Sequence, residues 1–167
     1  GSGIQFAGNV NFTNVLLLPG VAAGSIGNVL ILGGTDVFTG TASKRGLAVN
    51  GGATLTVGGG NITADRLIVA FGSNGTYIQT NGIVTVTGTI GGGVSQPVGV
   101  EMGASATATQ YAKLNLSGGT LIALGIWPNP VANWAGAGTI YLNGGTFQCA
   151  GDSTNLFFTD VPTSAAG

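Results

Sequence analysis

Four stretches of the chain alternate apolar and polar residues directly after a segment rich in Asn and Gly. They are "VNGGATLTV" at 49–57, "QTNGIVTV" at 79–86, "LNLSGGTLIA" at 114–123 and "YLNGGTFQCA" at 141–150. Because a period of two places successive side chains on opposite faces of a strand, each stretch predicts a β-strand with one buried face. Asn and Gly tolerate the positive φ of a tight corner. The chain is therefore predicted to repeat one unit, a corner followed by a strand.

The four copies predict a common inward face when they are aligned on the last residue of the corner. In each copy the residues two and four positions later would be buried, and the residue between them would face outward. The inward columns would be Leu55, Val84, Leu121 and Phe147, and then Val57, Val86, Ala123 and Cys149. The outward residues would be Thr56, Thr85, Ile122 and Gln148. At the corners, a polar ladder would be formed by Asn50, Asn81 and Asn143.

The spacing of the copies favours a parallel β-solenoid over a β-propeller. Their corner residues, at 53, 82, 119 and 145, lie 29, 37 and 26 residues apart, and a propeller blade needs about 40–50 residues of more regular length. We expect an all-β solenoid of about five or six coils with little or no α-helix. The chain 1–167 would form one domain, with a degenerate N-terminal coil at 1–46, clear repeats at 47–150 and a C-terminal strand or tail at 151–167.

The chain carries very little charge. Charged residues make up 5% of the sequence and hydrophobic residues 44%. Four Lys and Arg residues against five Asp and Glu residues leave no basic surface for a phosphate backbone, so nucleic acid is not an expected partner. The apolar runs are far shorter than the roughly 20 residues of a membrane-spanning helix, and no membrane-spanning segment is expected. The single cysteine, Cys149, cannot form an internal disulfide and is expected to be a small buried residue.

Candidate catalytic and metal-binding residues are few. The sequence has no His and no CxxC spacing, which excludes a Ser-His-Asp triad and a His-ligated metal. Asp36, Asp65 and Glu101 precede the first inward column by nearly equal numbers of residues and could share one edge. Such a row could be a carboxylate ladder that binds a divalent cation or acts on a glycoside. The three acids could also be solvated turn residues, and this interpretation is favoured. We expect no cofactor and no enzymatic activity.

The repeats resemble those of a known class of exported proteins. The phrases "GTYIQTNGIVTVTGTI", "AKLNLSGGTLIA" and "GAGTIYLNGGTFQCAG" are similar to the β-strand repeats of bacterial autotransporter passenger domains and of related proteins with a PEP-CTERM sorting signal. The resemblance covers roughly residues 47–150 and implies a right-handed parallel β-helix at the cell surface or outside the cell. Neither a translocator barrel nor a sorting helix with a basic tail is recognised, which would fit a fragment or one unit of a longer protein.

A sequence so poor in ionisable groups and so rich in strand repeats predicts a structural protein. We expect an extracellular filament subunit or surface stalk that stacks head to tail on further copies of itself, or that completes a neighbouring copy by strand donation. Both ends of the chain are apolar, strand-like and nearly uncharged, and open strand edges template pairing. The contact residues would be Ile4, Phe6 and Val10 at one end and Leu156, Phe157 and Phe158 at the other.

The alternative is a carbohydrate-binding or adhesive passenger module. Trp127 and Trp134 flank a Pro-rich segment, where their rings could stack on sugars or could cover the edge of the coil. The tyrosines at 77, 111 and 141 leave the same two interpretations open. A glycosylating host could modify four Asn-X-Ser/Thr sequons in a secreted chain. These sequons begin at Asn11, Asn61, Asn74 and Asn115.

Overall fold

The protein is all-β in the part of the chain that the structure describes. A computed structural model describes residues 2–13, 16–17, 27–39, 46–87, 99–103, 111–128 and 137–151. Within these ranges every regular element is a β-strand, and none is a helix. Glycine is frequent and disfavours helices, and apolar residues rarely recur at the 3.6-residue period of a helix, which explains why the described elements are strands.

The strands form three parallel sheets, and each strand pairs with the strands three places before and after it in the chain. Sheet A contains β1 (Ser2–Phe6), β4 (Gly27–Ile31), β7 (Ala53–Val57), β10 (Gly75–Gln79), β13 (Tyr111–Leu116) and β16 (Ala137–Leu142). Sheet B contains β2 (Val10–Thr13), β5 (Thr35–Thr39), β8 (Asn61–Ala64), β11 (Ile83–Val86), β14 (Thr120–Ala123) and β17 (Thr146–Cys149). Sheet C contains β3 (Leu16–Leu17), β6 (Gly46–Val49), β9 (Leu67–Val69), β12 (Val100–Met102) and β15 (Ile126–Pro128).

The chain visits sheets A, B and C in turn and then begins again, and one such passage is called a round here. All pairings between successive rounds are parallel, as in β7 with β10 or β11 with β14. Equivalent residues of successive rounds therefore stack in columns about 4.8 Å apart. This order of strands is what the repeated phrases of the sequence encode.

One apolar core lies between the three sheets. Leu55 of sheet A, Val84 of sheet B and Leu67 of sheet C belong to the same cluster of buried side chains. Along β7 and β10, buried residues alternate with partly exposed ones, which confirms the period of two. The predicted inward positions 55, 57, 84, 86, 121 and 123 are all buried, and the predicted outward positions 56, 85, 122 and 148 are partly or fully exposed.

The predicted column that places Leu55 beside Val84 is wrong. Leu55 pairs in sheet A with Val29 and Tyr77, whereas Val84 pairs in sheet B with Ile62 and Leu121. The error arises because two different corners use the same residues. Asn-Gly-Gly at 50–52 leads into sheet A, while the phrases at 80–82, 117–119 and 143–145 lead from sheet A into sheet B.

The predicted ladder of three corner asparagines is wrong for the same reason. Asn50 lies at a different corner from Asn81 and Asn143, and its Oδ1 accepts a hydrogen bond from the Gly72 N–H at 3.1 Å. Asn143 instead donates through Nδ2 to Oδ1 of Asn115 at 3.2 Å. The asparagines therefore bond locally between neighbouring rounds.

The described strands of the first 46 residues keep the register of the later rounds. The degenerate coil at 1–46 stays a prediction. Strand β4 pairs with both β1 and β7, and β5 pairs with both β2 and β8. The corner from sheet A to sheet B has the same length, three residues, in each of these rounds and in the later ones. It lies at 7–9, 32–34, 58–60, 80–82, 117–119 and 143–145.

Cys149 is exposed, which contradicts the expectation of a buried thiol. It lies in β17, the last strand of sheet B among the described residues, where β14 pairs with it on one side. Its Sγ is 3.0 Å from the carbonyl oxygen of Gly151 and can donate a hydrogen bond to it. Cys149 does occupy the inward column of Ala123. It is exposed because no further described strand packs over β17.

A tyrosine and a glutamine form a polar pair inside the core. Tyr77 and Gln79 are fully buried, and the Tyr77 hydroxyl donates to Oε1 of Gln79 at 2.9 Å. Gln79 donates through Nε2 to the carbonyl oxygens of Gly82 at 3.2 Å and Thr120 at 3.0 Å. The pair thereby ties sheet A to the corner and to sheet B. Burial raises the pKa of the Tyr77 hydroxyl, which stays protonated as a donor.

Tyr77→Phe is expected to lower the free energy of unfolding by about 1–3 kcal/mol, because it leaves the buried Oε1 of Gln79 without a donor. In a Gln79→Leu background the same change should instead stabilise the protein, since it removes a hydroxyl that has lost its acceptor. Denaturant unfolding of the four proteins measures both values. Equal effects of Tyr77→Phe in the two backgrounds would contradict the coupling.

Candidate functional site

The three acids that could have shared an edge lie in three different places. Asp36 faces inward in β5, Asp65 lies at the corner that follows β8, and Glu101 lies within β12 of sheet C. Counting residues back from the sheet columns failed because the counts crossed corners of unequal length. Among the described residues, no three His, Cys, Asp or Glu side chains are close enough to hold a metal ion.

Asp36 is a carboxylate buried in an apolar column. It stacks between Val10 and Ile62 in sheet B, and its side chain has no exposed surface. Its Oδ1 accepts a hydrogen bond from the Val10 N–H at 2.9 Å, while Oδ2 is buried without a hydrogen-bond partner. Burial raises the pKa of Asp36, and the bond from Val10 offsets part of that rise.

Acidification is expected to stabilise the fold through Asp36. Because its pKa is raised in the folded state, the folded protein binds this proton at a pH where the unfolded chain has lost it. The free energy of unfolding should therefore rise as the pH falls from the folded pKa towards the ordinary value of 3.8. Asp36→Asn, which keeps an acceptor for Val10, should reduce this slope in denaturant melts at several pH values. An unchanged slope would contradict the assignment.

Glu101 forms a buried ion pair on the outer side of sheet C. It pairs in register with Ile68 and Trp127, and its carboxylate Oε2 accepts from the guanidinium of Arg66. Burial raises the pKa of Glu101, and Arg66 counteracts that rise by its charge and its hydrogen bond.

The first round exposes side chains that belong to inward columns. Ile4 stacks on Val29 and is 54% exposed, although Val29 is 3% exposed. Phe6 stacks on Ile31 and packs partly against the core, and Val10 stacks on Asp36 and is partly buried. These three residues are the predicted contact residues of the N-terminal end. The structure places all of them on the end face of the stack.

The last described round exposes a matching set of inward positions. Ile140 stacks on Leu114, Leu142 on Leu116 and Phe147 on Leu121. Leu142 is 52% exposed, whereas Leu116 below it is fully buried. The predicted contacts Leu156, Phe157 and Phe158 lie outside the described residues. Sequence reasoning missed Ile140 and Leu142, because their columns become visible only once the register of sheet A is known.

The predicted glycan-stacking tryptophans are placed only in part. Trp127 lies in β15, in register with Glu101 of the preceding round, and Trp134 lies outside the described residues. A carbohydrate site at these two residues stays a prediction. Glycan-array binding that disappears in Trp127→Ala and Trp134→Ala would support it.

The sequons lie at different kinds of position. Asn61, at the start of β8, is exposed. Asn74 is also exposed, and its Oδ1 accepts the Tyr111 N–H at 2.7 Å. Asn115 is half-buried on the outer face of β13, and Asn11 lies within β2. Glycosylation at any of the four stays a prediction.

No family model, curated protein or solved structure matches the chain. The resemblance to autotransporter passenger repeats therefore remains an expectation from the sequence. Within the ranges that the structure covers, no helix is long and apolar enough to cross a membrane. The function has to be argued from the geometry of the rounds, above all from their two end faces.

Proposed function

We propose that the chain is a right-handed parallel β-solenoid that works as an extracellular structural unit, building a filament or surface stalk by stacking end to end. The cyclic order of sheets A, B and C with parallel pairing throughout supports the solenoid. The right-handedness and the extracellular location rest on the resemblance of the repeats. The proposal assigns no catalytic step to the chain.

The observation that carries this proposal is the match between the two end faces. The column that begins at Ile4 ends at Ile140, the column from Phe6 ends at Leu142, and the column from Val10 reaches Phe147. A second copy with its β1 on β16 and its β2 on β17 would continue all three columns. The exposed apolar area of Ile4 and Leu142 would then be removed from water.

The main chain supports the same contact. Among the described strands, β1 and β2 pair on one side only, and so do β16 and β17. Such edges present unpaired N–H and C=O groups to any strand of matching direction. Because the two faces are unlike, the contact is heterologous and yields an open filament unless the rotation closes a ring. Strand donation from one terminus into a neighbour is a variant of the same contact.

The wild-type chain at micromolar concentration is expected to form filaments visible by electron microscopy and to scatter light increasingly with time. Ile4→Asp and Leu142→Asp should each abolish this assembly, because each buries an unpaired carboxylate in the contact. Ile83→Asp is the matched control, since Ile83 is 44% exposed on the outer face of sheet B.

Mixing the two blocked variants gives the sharper test. Ile4→Asp keeps an intact C-terminal face, and Leu142→Asp keeps an intact N-terminal face, so an equimolar mixture should form a heterodimer and nothing longer. Analytical ultracentrifugation distinguishes monomer, dimer and polymer. A wild-type chain that remains a monodisperse monomer, with both termini protected from proteolysis, would contradict the proposal.

A further inference from the structure

A cluster of aromatic, basic and amide side chains lies on the outer face of sheet A, at its last two described strands, β13 and β16. Tyr111, Lys113 and Asn115 occupy alternate positions of β13. In the next round, Lys113 pairs in register with Thr139 and Asn115 with Tyr141. The side chains of these residues and of Asn143 form what is called the β13–β16 patch here.

The two tyrosine rings of this patch are both exposed and held in place. Tyr111 and Tyr141 are each 40% exposed. The Tyr111 hydroxyl is 2.5 Å from Oγ1 of Thr139, and its main-chain N–H donates to Asn74. The hydroxyl contact with Thr139 of β16 holds the Tyr111 ring across two strands. A rigid aromatic face with a polar rim loses little entropy when a sugar ring stacks on it.

Lys113 gives the β13–β16 patch a positive charge. Its Nζ is 5.1 Å from the centroid of the Tyr141 ring, which fixes the ammonium group above the sheet. Among the described acids, Glu101 pairs with Arg66, Asp36 faces the core, and Asp65 accepts from the Thr87 hydroxyl, and none forms an ion pair with Lys113. A ligand that carries a carboxylate would pair with this ammonium group.

The amides complete the polar contacts. Asn143 donates to Oδ1 of Asn115, which leaves the Nδ2 of Asn115 to donate to a ligand acceptor and the Oδ1 of Asn143 to accept from a ligand donor. The row from Tyr111 to Asn115 spans about 13 Å at about 3.3 Å per residue. Along β13 the face therefore presents the Tyr111 ring, then the Lys113 ammonium group, and then the amide pair of Asn115 and Asn143.

We propose that the β13–β16 patch binds an acidic polysaccharide. The Tyr111 ring takes the apolar face of one pyranose, Lys113 pairs with the carboxylate of a uronate residue, and the amides of Asn115 and Asn143 bind sugar hydroxyls. This site is independent of the tryptophans at 127 and 134. Its side chains lie on the outer face of sheet A, whereas the end contact uses the inward side chains of Ile140 and Leu142 and the edge of β16, so the site would be present in monomers and filaments alike.

The test uses an oligogalacturonate and its methyl ester, which has the same backbone without the charge. The protein is produced in a host without N-glycosylation, because the Asn115 sequon lies within the patch. Isothermal titration calorimetry is expected to show binding of the acid form and at least about tenfold weaker binding of the ester. Tyr111→Ala and Lys113→Gln should each weaken binding of the acid form by about tenfold or more.

Two further variants separate the site from the fold. Lys113→Arg keeps the charge and should retain binding, and Thr54→Ala, in the same outer column as Lys113 but on β7, should leave it unchanged. Circular dichroism checks that each variant is folded. The proposal is overturned if neither oligosaccharide binds, if both bind equally, or if Lys113→Gln binds like the wild type.

Discussion

Leu121→Asp is expected to prevent folding. Leu121 is fully buried in sheet B, where it stacks between Val84 of the preceding round and Phe147 of the following one. A carboxylate at this position would be ionised without a partner, at a cost of several kcal/mol. That cost is a large part of the roughly 5–15 kcal/mol by which domains are stable. Far-ultraviolet circular dichroism and thermal melts measure the outcome.

Thr85→Asp is the control for this substitution. Thr85 lies in β11, next to Val84 but on the outer face, and pairs with Ile122. A carboxylate there remains in contact with water, so the melting temperature should change little. Two variants of equal stability would show that the inward register of sheet B is not the one described.

Asp36 shows what a carboxylate in this column requires. It occupies the same column as Leu121, three rounds earlier. It accepts the main-chain N–H of Val10, which lies in β2, a strand that pairs with β5 alone among the described strands. The strand that precedes Leu121, β11, pairs with both β8 and β14. The interior strand β11 therefore offers no main-chain N–H comparable to that of Val10. The fold accepts a buried carboxylate at position 36, but we expect it not to accept one at position 121.

The alternation of side chains was predictable, because it is a local property of each strand. Whether Val84 or Thr85 faces inward follows from the period of two alone. The membership of a strand in a particular sheet was not predictable in the same way. Leu55 follows the same Asn-Gly phrase as Val84, but only the pairing with Val29 and Tyr77 assigns it to sheet A. Position in a parallel stack is a non-local property.

The candidate sites were predictable to a similar extent. Ile4 and Phe6 were placed at an end because the N-terminal segment is apolar, and the structure puts both on the end face. Leu142 was not predicted as a contact residue. It is exposed because it is the last described residue of its column, and that column follows only from the strand pairing. The β13–β16 patch was also missed as a unit, because Lys113 and Tyr141 are far apart in sequence and meet only through the register of sheet A.

Gly119→Ala is expected to be strongly destabilising at the corner from sheet A to sheet B. Gly119 has φ of +72°, which costs an L-residue about 1–2 kcal/mol. A Cβ there would overlap the carbonyl oxygen of Gly82 and lie 2.6 Å from the carbonyl carbon of Asn81 in the preceding round. Both are main-chain atoms and cannot rotate away. The overlap should add about 1–3 kcal/mol.

Glycines at other corners separate the two contributions experimentally. Gly52 has φ of +79° but no atom within 4 Å of an added Cβ, so Gly52→Ala should lose only the conformational part, about 1–2 kcal/mol. Gly8 has open space and no positive φ, and Gly8→Ala should be neutral or slightly stabilising. Denaturant unfolding of the three variants should therefore rank Gly119→Ala as least stable, followed by Gly52→Ala and Gly8→Ala. If Gly119→Ala and Gly52→Ala lost equal stability, the close contact between rounds would contribute nothing, and positive φ alone would explain why the corner phrase repeats.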